Sequence, residues 1–148
     1  MLYKLDECQC HPGNSDRTFI LTDFGFARPI VQDGKSSGGH GSNSYRDPAL
    51  IKEKTYSDKT DIWAFGCVMI EVASSGRRMA FNDDYIATKY HEGAAGFSLP
   101  QLEREDNTAL DDSSRRYINS LVKKCLERNP EDRPSAKELL DSLVLRQG

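Results

Sequence analysis

The strongest periodic signal along the chain runs from Asp61 to Ala73. Ile62, Trp63, Phe65, Val68, Met69, Ile70 and Val72 are distributed around most of a helical wheel. A helix that is apolar all round is one that is buried all round. The pattern predicts a central core helix, too short to span a bilayer. Gly66 inside it costs about 1 kcal/mol relative to alanine, which implies close packing against another backbone. Ser113 to Arg128 is amphipathic instead, with Tyr117, Ile118, Leu121, Val122, Cys125 and Leu126 following helical spacing. Asn129-Pro130 stops that run. Ser135 opens a last helix, Glu138 completes a capping box with it, and Leu139, Leu140, Leu143 and Val144 form its apolar face. Phe81 to His91 predicts a short helix with Asn82 as its N-cap.

Upstream the signal changes. Leu2 to Leu5 and Thr18-Phe19-Ile20-Leu21-Thr22 are short and rich in apolar or β-prone residues, and the polar stretch from His11 to Asp16 lies between them. These segments predict a β-hairpin with a long connection. From Arg28 to Ser44, glycines 34, 38, 39 and 41 alternate with Ser36, Ser37, Ser42 and Ser44. Such a stretch holds too little apolar surface to fix itself. It reads as a flexible linker or as a mobile regulatory loop. Residues 93 to 112 are mostly loop, and no internal repeat is present.

Composition narrows the classes. A chain of 148 residues can form one domain with its own core, and 37% hydrophobic with 29% charged residues is ordinary for a soluble globular protein. Twenty basic and 23 acidic residues leave a net charge of −3, which gives no electrostatic footprint for nucleic acid or an anionic membrane. No apolar run reaches transmembrane length, and Met1 to Asp6 lacks the apolar core of a signal peptide. The expected compartment is the cytoplasm or nucleus. Of four cysteines, Cys8 and Cys10 with His11 form half of a zinc-type cluster, but no second cluster exists to complete it. Cys67 and Cys125 fall inside apolar helical patterns and read as buried thiols.

Four segments carry the chemistry. Leu21-Thr22-Asp23-Phe24-Gly25-Phe26-Ala27-Arg28 places an Asp-Phe-Gly triplet after a predicted strand. Gly41-Ser42-Asn43-Ser44-Tyr45-Arg46-Asp47-Pro48-Ala49 closes the Gly/Ser loop. Asp58-Lys59-Thr60-Asp61-Ile62-Trp63-Ala64-Phe65-Gly66 opens the apolar helix, and Cys125 to Ser135 contains Asn129-Pro130-Glu131-Asp132-Arg133-Pro134. In this order, over nearly the whole chain, they resemble the protein kinase family from its metal-binding triplet to the end of the domain.

The resemblance implies a mainly α fold: a kinase-like C-terminal lobe spanning residues 1–148, with a short β-hairpin before the activation segment and helices around the apolar one. It implies ATP and Mg²⁺ as cofactors, with Asp23 as the metal-holding carboxylate. Phe24 and Gly25 complete the nucleotide-side triplet, Phe24 as an apolar plug and Gly25 as the flexible joint that aims the carboxylate. Residues 28 to 44 correspond to the activation segment, with Ser36, Ser37, Ser42 and Ser44 as candidate phosphosites, although exposed loop serines are common for other reasons. Ser42 and Tyr45 lean towards Ser/Thr specificity. Asp61 matches a buried aspartate that holds the catalytic loop, and a carboxylate there also suits the helix dipole. Trp63 and Gly66 match packing positions.

The pattern also breaks. Arg133 resembles an arginine that pairs with the glutamate of Ala-Pro-Glu, but Asp47-Pro48-Ala49 stands in that place. Either Asp47 compensates, or Arg133 is more exposed, or the fold is weakened; restoring Glu at position 49 is expected to stabilise by about 1–3 kcal/mol. No Gly-rich loop, strand lysine, helix glutamate or catalytic loop precedes Asp23, so no catalytic residue is assigned. The expectation is a lobe of an ATP-dependent protein kinase, acting on protein Ser/Thr in the complete enzyme and inactive as this chain. Met1 is then expected to be an internal position or a mis-assigned start. The alternatives are a degenerate, pseudokinase-like module that binds a partner protein without catalysis, and a truncated product with no independent role.

Overall fold

The computed structural model describes residues 21–27, 29, 36–37, 43–53, 55–99 and 101–144. The expected hairpin strands at residues 2–5 and 18–20, and the Cys8-x-Cys10-His11 cluster, lie outside the described residues. Leu21 and Thr22, at the end of the second expected strand, have no regular structure. The strands present among the described residues lie elsewhere. β1 (Ser36–Ser37) pairs antiparallel with β2 (Thr55–Tyr56), in the register Ser36 with Tyr56 and Ser37 with Thr55.

Helices make up most of what is described: α1 (Pro48–Glu53), α2 (Asp58–Ala73), α3 (Asp84–Glu92), α4 (Asp112–Cys125) and α5 (Ala136–Val144). Each start has a local cause. Asp47 precedes α1, its Oδ1 accepts the Ala49 N–H at 2.9 Å, and Pro48 occupies the first helical position, where a missing N–H costs nothing. Ser57 and Thr60 form a reciprocal capping box at the head of α2. Consequently α2 begins at Asp58, one turn before the apolar run. Asp83, rather than Asn82, caps α3 by accepting the Ile86 N–H at 2.9 Å, and Gly93 ends it in the left-handed conformation. Asp111 caps α4. The predicted Ser135–Glu138 box at the head of α5 is present, with Ser135 N–H donating to Glu138 Oε2 at 2.7 Å.

The core forms on one side of α2. Trp63 is fully buried and stacks on Phe81 with ring centroids 5.4 Å apart, and Tyr90 of α3 closes the group at 5.4 Å from Phe81. Cys67, Ile70, Val122, Leu126 and Leu102 complete this cluster, and Ile62, Leu121, Cys125 and Leu139 form a second one towards α5. The two longest helices touch at Gly66. A Cβ there would stand 2.7 Å from the Cys125 Cβ, so only glycine permits the approach.

One expectation needs correction. Helix α2 is apolar all round, yet it is not buried all round: Phe65, Val68 and Val72 are exposed at 44%, 43% and 57%. Their spacing puts them on the face opposite Trp63, Cys67 and Ile70. Helical periodicity reports composition around the wheel, whereas burial needs a neighbour on each side, and among the described residues the far side has none. No helix among the described residues is long and apolar enough to cross a membrane.

Candidate functional site

The site expected from sequence begins at Asp23. This residue adopts φ 60° and ψ 64°, the left-handed region, immediately before a short 3-10 turn over Phe24–Phe26. A non-glycine residue there is uncommon. Asp23 is exposed, and a Cβ added at Gly25 would stand 3.3 Å from its Oδ1. A bulkier residue at position 25 would therefore crowd the carboxylate. Phe24 does not pack as a plug in this arrangement, since it is 69% exposed. Among the described residues no group of three or more His, Cys, Asp or Glu could hold a metal. Magnesium commonly takes only one or two protein carboxylates, with phosphate oxygens and water completing its shell. An exposed carboxylate such as that of Asp23 is of the ligand type that magnesium takes.

The pairing of Arg133, left open by the sequence, is made at the start of α1. Arg133 is 2% exposed and Asp47 is 1% exposed. The guanidinium donates to both carboxylate oxygens, Nη1 to Oδ2 at 2.5 Å and Nη2 to Oδ1 at 3.0 Å. Two further N–H groups donate to the Lys59 carbonyl at 3.0 Å and the Glu127 carbonyl at 2.8 Å. The same guanidinium lies 4.9 Å from the Trp63 ring centroid. A buried charge pair repays its desolvation only when its geometry is good and its other donors are largely satisfied; here the contact is bidentate and four of the five N–H groups have acceptors. Of the three outcomes open from sequence, Asp47 compensates for the missing glutamate. The expected gain from Ala49→Glu is overturned. Ala49 is 9% exposed, and the arginine it was to serve already holds a bidentate carboxylate partner in Asp47.

Other contacts fix the chain leading to this pair. Ser44 Oγ donates to the Asn82 carbonyl at 3.0 Å, and Arg46 Nη1 donates to Asp84 Oδ2 at 2.9 Å. The Tyr45 hydroxyl donates to Glu71 Oε2 at 2.5 Å, and this hydrogen bond, with burial and the Glu71 charge, raises its pKa. Sequence reasoning did not find these anchors, because each joins residues far apart in sequence. Asp61 is exposed rather than buried; partial desolvation and then the Asp58 charge raise its carboxyl pKa. Cys67 and Cys125 are buried as expected, and burial pushes their thiols up to about 12 and about 11. They are inert at neutral pH.

Comparison with known proteins supplies an independent line. The family model for the protein kinase domain matches residues 13–145. The chain is 30% identical over 125 residues to a serine/threonine-protein kinase Nek6 of Oryza sativa subsp. japonica, covering 84% of this chain and 21% of that protein. It is 31% identical over 127 residues to mitogen-activated protein kinase kinase kinase 19 of Homo sapiens, covering 81% and 9%. The G2-specific protein kinase nimA of Emericella nidulans is 30% identical over 133 residues, covering 89% and 17%. The chain thus spans less than a quarter of the length of each of these three relatives.

Proposed function

The chain belongs to the protein kinase domain family, and from that premise we propose that it is the substrate-side lobe of an ATP-dependent protein kinase directed at protein Ser/Thr. The observation that carries this reading is the buried Asp47–Arg133 pair. It fixes the end of an activation-type loop to the helical body by a bidentate contact, although the glutamate that usually does so is an alanine. Asp23 stands at the other end of the same loop. When bound, Mg-ATP supplies the phosphoryl group, and Asp23 would hold the metal against its phosphates. Gly25 leaves that carboxylate room, and the contacts of Ser44, Tyr45 and Arg46 hold the loop's far end in place.

These 148 residues contain no Gly-rich loop, strand lysine or catalytic-loop aspartate. General-base and phosphate-orienting roles therefore have no residues to fill them, and the chain by itself transfers no phosphate. Purified chain incubated with Mg-ATP and a generic protein substrate is expected to give none. Phosphotransfer that survives full purification and disappears in Asp23→Ala would overturn this. A second reading, a non-catalytic module that binds a partner protein, is favoured by the exposure of Phe24, Phe65, Val68 and Val72. Asp23→Ala in a fusion that supplies the Gly-rich loop, strand lysine and catalytic loop separates the two, because a purely interacting module has no use for that carboxylate.

A further inference from the structure

The place where α1, α3 and the turn after α4 meet carries cations that the proposed phosphotransfer does not use. Lys52 in the last turn of α1 and Arg128 beyond the end of α4 are both exposed. His91, half-buried in the last turn of α3, is within electrostatic reach of both. Arg128 is held in place: its guanidinium lies 5.0 Å from the Tyr90 ring centroid, and its Nη1 is 3.3 Å from where a Cβ on Gly93 would stand. Alanine at position 93 would push the guanidinium away.

The nearby carboxylates are largely committed elsewhere. Asp47 is buried against Arg133 and accepts the Ala49 N–H, and Glu92 pairs with Lys89 at 2.8 Å. Among the described residues no carboxylate pairs with Lys52 or Arg128. His91 Nδ1 is buried with no hydrogen-bond partner. An orphaned buried polar atom beside unpaired cations calls for an explanation. Besides Lys52 and Arg128, the charges acting on His91 are Asp47, which opposes burial, and Arg133, which adds to it; the net result lowers the imidazole pKa, burial being the largest cause.

We infer that Lys52, His91 and Arg128 form an anion site that takes a phosphate monoester or the free phosphate ion. The guanidinium supplies a planar fork matched to phosphate oxygens, and the ammonium supplies a point charge. The bound dianion offsets the repulsion among the cations and lets the imidazole take up a proton. A phosphorylated side chain of a partner protein and inorganic phosphate share this chemistry, and their relative affinities tell them apart.

The His91 ring resonances of the full chain, assigned by their loss in His91→Gln, report the site directly. Inorganic phosphate, a phosphoserine peptide and the same peptide unphosphorylated would be titrated at constant ionic strength against chloride. A saturable shift of His91 with phosphate or phosphopeptide, and a rise of its pKa on saturation, are expected. Tighter binding of the phosphopeptide identifies a phosphoprotein partner, and equal or weaker binding identifies the free ion. Lys52→Ala with Arg128→Ala should weaken binding by about tenfold or more. Lys52→Gln alone, at an exposed position, should weaken it by about threefold and covers the case in which the double variant does not fold. No saturable shift with either phosphate source, equal binding by the unphosphorylated peptide, or unchanged affinity in the Lys52 variant would overturn the site.

Discussion

Truncating Arg133 to alanine would leave the Asp47 carboxylate buried without its partner, and Asp47→Ala would strand the guanidinium. Each is expected to cost about 3–5 kcal/mol, because the remaining charge stays desolvated. Asp47→Ala also removes the cap on Ala49 N–H at the start of α1. Ala49→Glu is expected to lower stability by about 1–3 kcal/mol, since it adds a carboxylate at a buried position beside an arginine already paired with Asp47. Urea midpoints measure all three, and a rise for Ala49→Glu would contradict the described pairing. At His91 the folded pKa lies below the ordinary 6.5. The unfolded chain therefore binds the proton more readily, and stability falls as pH drops from about 6.5 through the folded value. In phosphate-free buffer His91→Gln should flatten that fall, as read from thermal midpoints between pH 7.5 and 5. At this scale Arg133 was legible, because it sits in a short motif. The sequence left the partner of Arg133 open, because residues 86 apart in the chain meet only once the helices have packed.

Helix α2 meets α4 through Gly66, and the element-scale consequence is steric. Gly66→Ala gains about 1 kcal/mol of helix propensity. It also forces a methyl to 2.7 Å from the Cys125 Cβ and 3.0 Å from a Leu126 methyl carbon, Cδ2. Overpacking of this kind costs about 1–3 kcal/mol. A net fall in melting temperature is the expected outcome, and a rise would mean that the two helices are farther apart than described. The close approach was legible from a glycine inside an apolar helix. Helices α2, α3, α4 and α5 were legible from their periodicity, and their ends were not. Ser57 and Thr60 start α2 a turn early, a polar capping box that an apolar pattern cannot register. α1 escaped notice because six residues give too short a run for helical periodicity to register; its signal is the Asp47-Pro48 pair, an N-cap followed by the favoured first residue. The two short strands escaped as well, since two-residue Ser-Ser and Thr-Tyr segments carry no alternation that could be read.

The whole molecule presents Phe65, Val68 and Val72 on one exposed face of its central helix. Uncovered apolar surface of this kind drives association. The 148-residue chain is expected to elute as oligomers and to bind an apolar-surface dye, and Val68→Lys with Val72→Lys should reduce both. A compact monomer without dye binding would refute this. The family was legible at this scale because four motifs occur in order, and their relation to distant partners was not. Asp61 and Phe24 were assigned buried roles by resemblance, and both side chains are exposed. If Asp23 is the metal-holding carboxylate of a kinase lobe, a chimaeric kinase shows it most directly. Residues 21–148 would be fused behind a Gly-rich loop, strand lysine and catalytic loop taken from one of the matching kinases, and phosphotransfer to protein Ser/Thr would be measured with Mg-ATP. Mg²⁺-dependent transfer is expected, falling by at least about 10²-fold in Asp23→Ala. A folded, nucleotide-binding fusion that transfers no phosphate, or one indifferent to Asp23→Ala, would contradict that role for Asp23.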